Sequence, residues 1–309
     1  MSVMDLPSFP TALDARYTEL IEQTLASVQD MRPAIYGMDT SDRLEERYSA
    51  IGELASWPEF TGELTSQQQY EQYETIFRPR EYGTMTIITR RMVDDDLSGI
   101  FNGVRFLPMV RSGIVTQQKH AVRVFEMIGS VDSYWSIFTE GVAIASTAHT
   151  TRTPGVSTAS GFSNLTTGVL SPTALRAARI AGRKIKNDVG DRADLWYDEI
   201  FVPVDLVDRT NEILRTVAGL DNPYGNENQD SSARSGITKV IGLPYWSSST
   251  NWVLSNSMMR KDLCKWITRQ DPEYGRIVEF DTLQFKSRGY MRYGVATRGW
   301  RWCYAGVVS

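Results

Sequence analysis

The chain has 309 residues, 23 % charged and 41 % hydrophobic, with a net charge of −4. That length allows one large domain or two modest ones with a substantial core, and the charge gives no support for a dedicated nucleic-acid binder. Two histidines and two cysteines, Cys264 and Cys303, argue against a multi-histidine metal centre and against a disulfide framework. The two cysteines could pair only if the fold brought them together; otherwise they are separate packed thiols. The opening MSVMDLPSFP lacks the basic and apolar regions of a signal peptide. The chain has no apolar run near the roughly 20 residues that span a bilayer, so cytoplasmic synthesis without a membrane step is the expectation.

Charge is unevenly spread. Residues 1–60 hold eleven Asp/Glu against four Arg, a balance of −7, whereas residues 276–309 hold six Lys/Arg against two acids, a balance of +4. Opposite ends of this kind are either solvated faces or an acidic arm of one molecule matched to basic strands of another.

From Thr11 to Val28 the apolar residues Leu13, Tyr17, Leu20, Ile21, Leu25 and Val28 fall on one helical stripe, which Pro33 ends. A second helical patch is expected over Ser41–Ile51, with Asp42, Glu45 and Glu46 near its start. Trp57 to Arg91 changes character, with Pro58 and Gly62 as punctuation. Tyr73, Thr75 and Phe77 alternate with polar or smaller neighbours. Past the turn-like RPREYG, Thr84 to Thr89 is rich in strand formers. This reads as a long hairpin-like excursion, too thin to bury its own faces. Asp94, Asp95 and Asp96 are consecutive and so diverge, which suits a helix N-cap better than a metal site.

Pro108 to Ile128 is a long amphipathic helix of roughly 30 Å. Ile114, Gln118, Ala121, Val122, Phe125 and Ile128 form its buried stripe, and Gly129 ends it. A strand-like stretch, Tyr134 to Ala145, leads into the loop STAHTTRTPGVSTASGFSN. Ser171-Pro172 is a strong helix start, with Leu175, Ala178, Gly182, Ile185 and Val189 facing inward and Gly190 past the end. Leu195–Val204 reads as a strand and Leu206–Val217 as a helix. Asp221–Ser235 is a polar loop, and Val240–Leu243 and Trp252–Ser255 are strands. Ile277–Val308 alternates strand-like runs with glycines. The class is α+β, with strands drawn from distant parts of the chain.

No phosphate loop, dinucleotide fingerprint, C-x-x-C or H-E-x-x-H is present. Ser146 and His149 share a loop, but no acid to orient the histidine is evident, and a locally bonded histidine is the plainer reading. Asp198-Glu199 suits a surface turn as well as it suits acid/base work. Trp246, Trp252, Trp266, Trp300 and Trp302 suit core or interface anchors. No catalytic residue, cofactor or metal ligand emerges.

The ordered pieces do resemble a family. WPEFTGEL followed by YETIFRPREYGTMTIITRRMVDDD, then ASTAHTTRTPG, LSPTALRAA, VPVDLVDRTNEIL and KVIGLPYWSSSTNWVLSN are similar, in that order, to the major capsid proteins of tailed bacteriophages, of the Hong Kong 97 fold, with a Mu-like flavour. The resemblance implies an N-terminal arm at 1–56 and an extended loop at 57–92. It implies a peripheral domain at 93–132 and 257–309, containing the spine helix, and an axial domain at 133–256. It implies inter-subunit contacts through Trp57, Phe60, Tyr70, Tyr73, Phe77 and Arg80 of the extended loop. Tyr224, Asn226, Glu227 and Arg234 would meet near a hexamer or pentamer centre. Implied partners are copies of the chain itself, then scaffold, portal and decoration proteins, and packaged double-stranded DNA without sequence-specific contacts. The location would be the virion, assembled in a host cytoplasm. Some members weld subunits through a lysine–asparagine bond. Residues 57–80 hold no lysine, so cohesion here is expected to be non-covalent. Competing expectations are a cellular encapsulin-type nanocompartment shell of the same fold, and a hydrolase or carbohydrate-binding protein built around the Trp/Tyr surface.

Overall fold

A computed structural model describes residues 30–64, 66–95, 106–216, 228, 230–279 and 281–308. The helical stripe expected at Thr11–Val28 lies outside the described residues. In chain order the elements begin α1 (Arg32–Ile35), β1 (Gly37–Thr40), β2 (Glu46–Tyr48), β3 (Thr75–Phe77), β4 (Arg80–Thr89), α2 (Arg90–Asp94), α3 (Phe106–Glu126), β5 (Ser136–Phe138) and β6 (Leu165–Thr166). There follow α4 (Pro172–Arg183), β7 (Glu199–Pro203), α5 (Val207–Arg215), α6 (Ser232–Ser235), β8 (Lys239–Leu243), β9 (Trp252–Ser255), α7 (Ser257–Leu263), β10 (Cys264–Val278), β11 (Gln284–Thr297) and β12 (Cys303–Gly306).

Three sheets organise these strands. The first has the order β1-β10-β11-β4. Its centre is the antiparallel pair β10/β11, which runs from Cys264 opposite Thr297 to Val278 opposite Phe285 with two register shifts between Thr268 and Glu273. At about 3.3 Å per residue this ribbon extends some 45–50 Å, far longer than an ordinary strand. β4 lines the other side of β11 antiparallel, and β1 runs parallel to the root of β10 alone, Gly37–Thr40 against Lys265–Thr268. The second sheet has the order β6-β12-β9-β7-β8, and the third β2-β3-β5.

The second sheet shows how the period-two pattern builds two cores at once. Phe201, Val253, Cys303 and Ala305 face one side and pack with Phe125 of α3, Trp246 and Trp302. Ile200, Val202, Trp252, Leu254 and Tyr304 face the other, against Leu175 and Ala178 of α4 and Ile213 and Leu214 of α5. Both faces are covered, so these strands read as continuous apolar runs. α4 begins as the sequence demands: Ser171 Oγ accepts the Ala174 N–H at 3.1 Å, and Pro172 occupies the first turn. Gly182 has to be small, because a Cβ there would lie 2.2 Å from the Tyr197 ring.

A buried ion pair ties the layers. Arg260 is 0 % exposed and its guanidinium reaches Glu199, the Ile35 carbonyl, and Ser255 Oγ at 3.1 Å. Lys239 meets the other oxygen of Glu199 at 3.1 Å. Asp198-Glu199 is therefore not a surface turn. Glu199 opens β7 inside the protein, and Asp198 accepts the Ser257 N–H at 2.7 Å at the start of α7.

Other expectations are corrected. The helix expected at Ser41–Ile51 is absent; Glu46–Tyr48 is strand, because Glu46 and Tyr48 pair with Phe77 and Thr75. β3 and β4 do not form a hairpin with each other but enter different sheets. Asp94 and Asp95 stand at the end of α2, paired with Arg90 and Arg91 one turn back, while Asp96 lies outside the described residues. The last strand, β12, leaves the long ribbon and joins the second sheet.

Candidate assembly surface

His149 is committed to the interior. It stacks on Trp300 with centroids 4.0 Å apart and planes 3° off parallel. Its Nδ1 lies 3.1 Å from Glu140, and its Nε2 is 3.2 Å from the Ile144 carbonyl and 3.1 Å from Asn164 Oδ1. Ser146 Oγ instead accepts the Ala148 N–H at 3.1 Å. Glu140 is the acid that sequence reading did not find, nine residues before the histidine. Together with Asn164, which donates to the carbonyls of Ile144, Trp300 and Cys303, it fastens a long loop to the core. Among the described residues no cluster of three or more His, Cys, Asp or Glu could hold a metal ion. No described helix is long and apolar enough to cross a membrane. Cys264 and Cys303 are both buried and free, and burial pushes the Cys264 thiol up to about 12.

The surface with chemistry to offer is an excursion between β2 and β3. Its base is closed by two backbone bonds, Gly52 N–H to the Tyr70 carbonyl at 2.9 Å and Gln72 N–H to the Ala50 carbonyl at 2.8 Å. Polar ties then hold the base to the body. Asn187 donates to Glu53 at 2.8 Å, Ser56 Oγ to Asp191 at 3.2 Å, and Gln72 Nε2 to Thr153 Oγ1 at 2.9 Å. Beyond these ties the described residues 57–64 have no regular structure and show their apolar side chains to water. Trp57 is 89 % exposed, Phe60 67 % and Leu64 91 %. Gly62 turns the backbone at φ +112°, a conformation that suits only glycine. Scattered apolar residues are ordinary on a surface; a tryptophan, a phenylalanine and a leucine within eight positions, on a segment without a core, have the composition of interface anchors.

The sequence-derived contact residues divide. Trp57 and Phe60 stand on the excursion. Tyr70 is half-buried at its base, with its hydroxyl donating to Gln68 at 3.0 Å. Tyr73 is half-buried, its hydroxyl 2.6 Å from Thr150 Oγ1 and its ring under the Arg152 guanidinium at 5.0 Å. Phe77 is a correction: alternation along β3 turns it inward, where it is 0 % exposed beside Trp135 and Gly294, and it offers nothing to another subunit. Arg80 is exposed, but it donates to the Tyr134 carbonyl at 2.6 Å and lies 4.0 Å over the Tyr134 ring. Arg234 is exposed on α6. Tyr224, Asn226 and Glu227 lie outside the described residues. Leu64 was missed, although its signal was available as one more apolar residue in a segment with no helical or strand period.

A second feature stands where α3 meets the ribbon. His120 Nδ1 is 2.7 Å from the Tyr293 hydroxyl, and the Tyr82 and Tyr293 rings stack at 4.7 Å. Trp135 Nε1 donates to the Tyr82 hydroxyl at 2.9 Å. Burial, then the charge of Arg123, brings His120 down to about 4. The histidine is a neutral packing element that seats the long helix on the sheet.

Known proteins agree with this architecture. No curated protein is significantly similar in sequence. The structure is similar to one from Mycobacterium phage Patience, with a TM-score of 0.56 and 8 % identity over 99 % of this chain and 89 % of that one. It is similar to a structure described as the capsid of a native GTA particle, with a TM-score of 0.55 and 11 % identity over 92 % of each chain. A virus-like particle from Pyrococcus furiosus gives a TM-score of 0.51 and 7 % identity over 95 % of this chain and 98 % of that one. At such identities the likeness concerns the fold, and it is the Hong Kong 97 fold that the sequence resembled. A family model described as phage capsid protein matches residues 72–306. The match spans both cores, the long helix and the ribbon, and the chain belongs to the phage capsid protein family.

Proposed function

We propose that this chain is the major capsid protein of a tailed bacteriophage, assembling through copies of itself into hexamers and pentamers of an icosahedral head around double-stranded DNA. The observation that carries the reading is the pairing of a packed body with an excursion whose anchors, Trp57, Phe60 and Leu64, none of the described residues covers. Burying a large apolar side chain is worth about 1.5–3 kcal/mol relative to leaving it in water. Three such anchors per subunit, repeated around a closed ring, suffice to hold many modest interfaces together. The role is structural, and the buried His149 is part of the scaffold. The net charge of −4 suits a container that encloses the genome without gripping it. Scaffold, portal and decoration proteins are the further partners this reading implies, with assembly in the host cytoplasm and residence in the virion.

A nanocompartment shell of the same fold is the second reading. The likeness to the virus-like particle from Pyrococcus furiosus is one of fold alone and fits either reading, whereas the phage capsid family match favours the first. Electron microscopy of the concentrated protein tests the structural role. Closed shells or rings of five or six are expected. A lone monomer that turns over a small substrate, with the turnover lost in His149→Ala, overturns it.

A further inference from the structure

The long ribbon has two outer edges, and they are built differently. On the β10 side, β1 covers only Lys265–Thr268, so residues beyond 270 face outward with no strand of the described residues beside them. That stretch is blunted in the ways proteins use to stop strands from pairing. It carries Asp271, Pro272 and Glu273, and the register slips between Thr268 and Gln270 and again between Gln270 and Glu273. The β4 side has none of these devices. From Tyr82 to Thr89 the edge strand YGTMTIIT holds no charge and no proline, and its pairing with β11 is unbroken from Arg80 to Thr89. Met85 is 58 % exposed and Ile87 46 %. Such an edge is a template for another strand.

From this contrast we infer that β4 is a docking edge for β4 of a second copy, antiparallel about a local two-fold axis, joining two four-stranded sheets into one. The inference rests on the capsid reading, since a closed shell built of rings brings copies face to face across such axes. The occupant is argued from the strand itself. A two-fold contact sets each strand against its own sequence, so a charged edge would repel itself; Tyr82–Thr89 brings no charge to the contact. With Thr86 on the axis, Met85 of each copy lies opposite Ile87 of the other and Thr84 opposite Ile88. The exposed apolar pair of one copy then covers that of its partner on the solvent face. The N-terminal arm is a poor alternative occupant, because its sequence carries Pro7 and Pro10 and, from Thr11 to Val28, a helical rather than a strand period.

Cysteine cross-linking of assembled particles tests the inference. Directly opposed residues of an antiparallel pair lie about 4.5–5.5 Å apart, within disulfide reach. The native thiols are buried, so the unmodified chain supplies a clean background. Shells of Thr86→Cys, assembled reduced and then mildly oxidised, should run as covalent dimers on a non-reducing gel. Met85→Cys and Ile87→Cys should each remain monomeric alone and cross-link when co-assembled, and Thr84→Cys with Ile88→Cys repeats that test on the other face. Intact shells without dimers in any of these combinations overturn the edge pairing and leave the capsid reading untouched. Dimers formed equally by every single-cysteine variant also overturn it, because they show random collision rather than one register. Failure of the unmodified chain to form shells removes both.

Discussion

The body of this protein and its excursion obey opposite rules. In the body, Phe201 and Ile200 are neighbours in sequence, yet each is absorbed by a different core, and even a guanidinium is matched inside. In the excursion, Trp57 and Leu64 are left almost wholly in water while polar ties secure only the base. Apart from the β4 edge, the body buries its large side chains against one another, whereas the excursion leaves its anchors uncovered, which is the expected division of labour in a subunit whose product is a shell.

That contrast can be broken first from inside. Arg260→Ala leaves Glu199 buried beside one exposed lysine, and loss of one partner of such a pair costs about 3–5 kcal/mol. Chemical denaturation should show it, and the double change Arg260→Met with Glu199→Gln should recover much of the loss. Unchanged stability in the single variant would mean that the interior is less strictly matched than described. Gly306→Ala comes next: its Cβ would lie 2.2 Å from Trp252 Nε1, between the two cores. Overpacking of that kind costs about 1–3 kcal/mol, read as a lower melting temperature.

The pH dependence is smaller. His120 is brought down to about 4 in the folded protein from its ordinary 6.5. Between those values the unfolded chain binds a proton that the folded one does not, so stability rises with pH across the window. The contribution is full above about 6.5 and is lost as pH falls toward 4. With the ring partly exposed, the effect is on the order of 1 kcal/mol. His120→Gln should flatten that part of the denaturation profile, whereas an unaltered slope would assign it to other groups. Smallest of all is the change to the fold from Trp57→Ala with Phe60→Ala, within about 0.5 kcal/mol. The same variant should lose assembly in sedimentation, and that dissociation of folding from assembly is what separates the two regions.

The body was largely legible in the sequence because its signals are local. The stripe from Ile114 to Phe125, the Ser171-Pro172 cap and the strands of Trp252–Ser255 follow from periodicity and capping. β10 escaped because Asp271-Pro272 interrupts it, and only the irregular register against β11 accommodates the proline. β2 was mistaken for helix because three strand residues among acids carry little pattern, and their pairing with β3 is decided by contacts far along the chain. Phe77 was placed on a contact surface for a related reason: alternation shows that a residue has a side, not which side is buried. The excursion was legible through what it lacks, a hydrophobic period.

The most direct test of the central claim is analytical ultracentrifugation, with electron microscopy, of the full chain against a variant lacking residues 57–64. The account predicts rings or closed shells for the full chain and a folded, non-assembling subunit with an unchanged melting temperature for the deletion. Shells formed equally well without the excursion would contradict it.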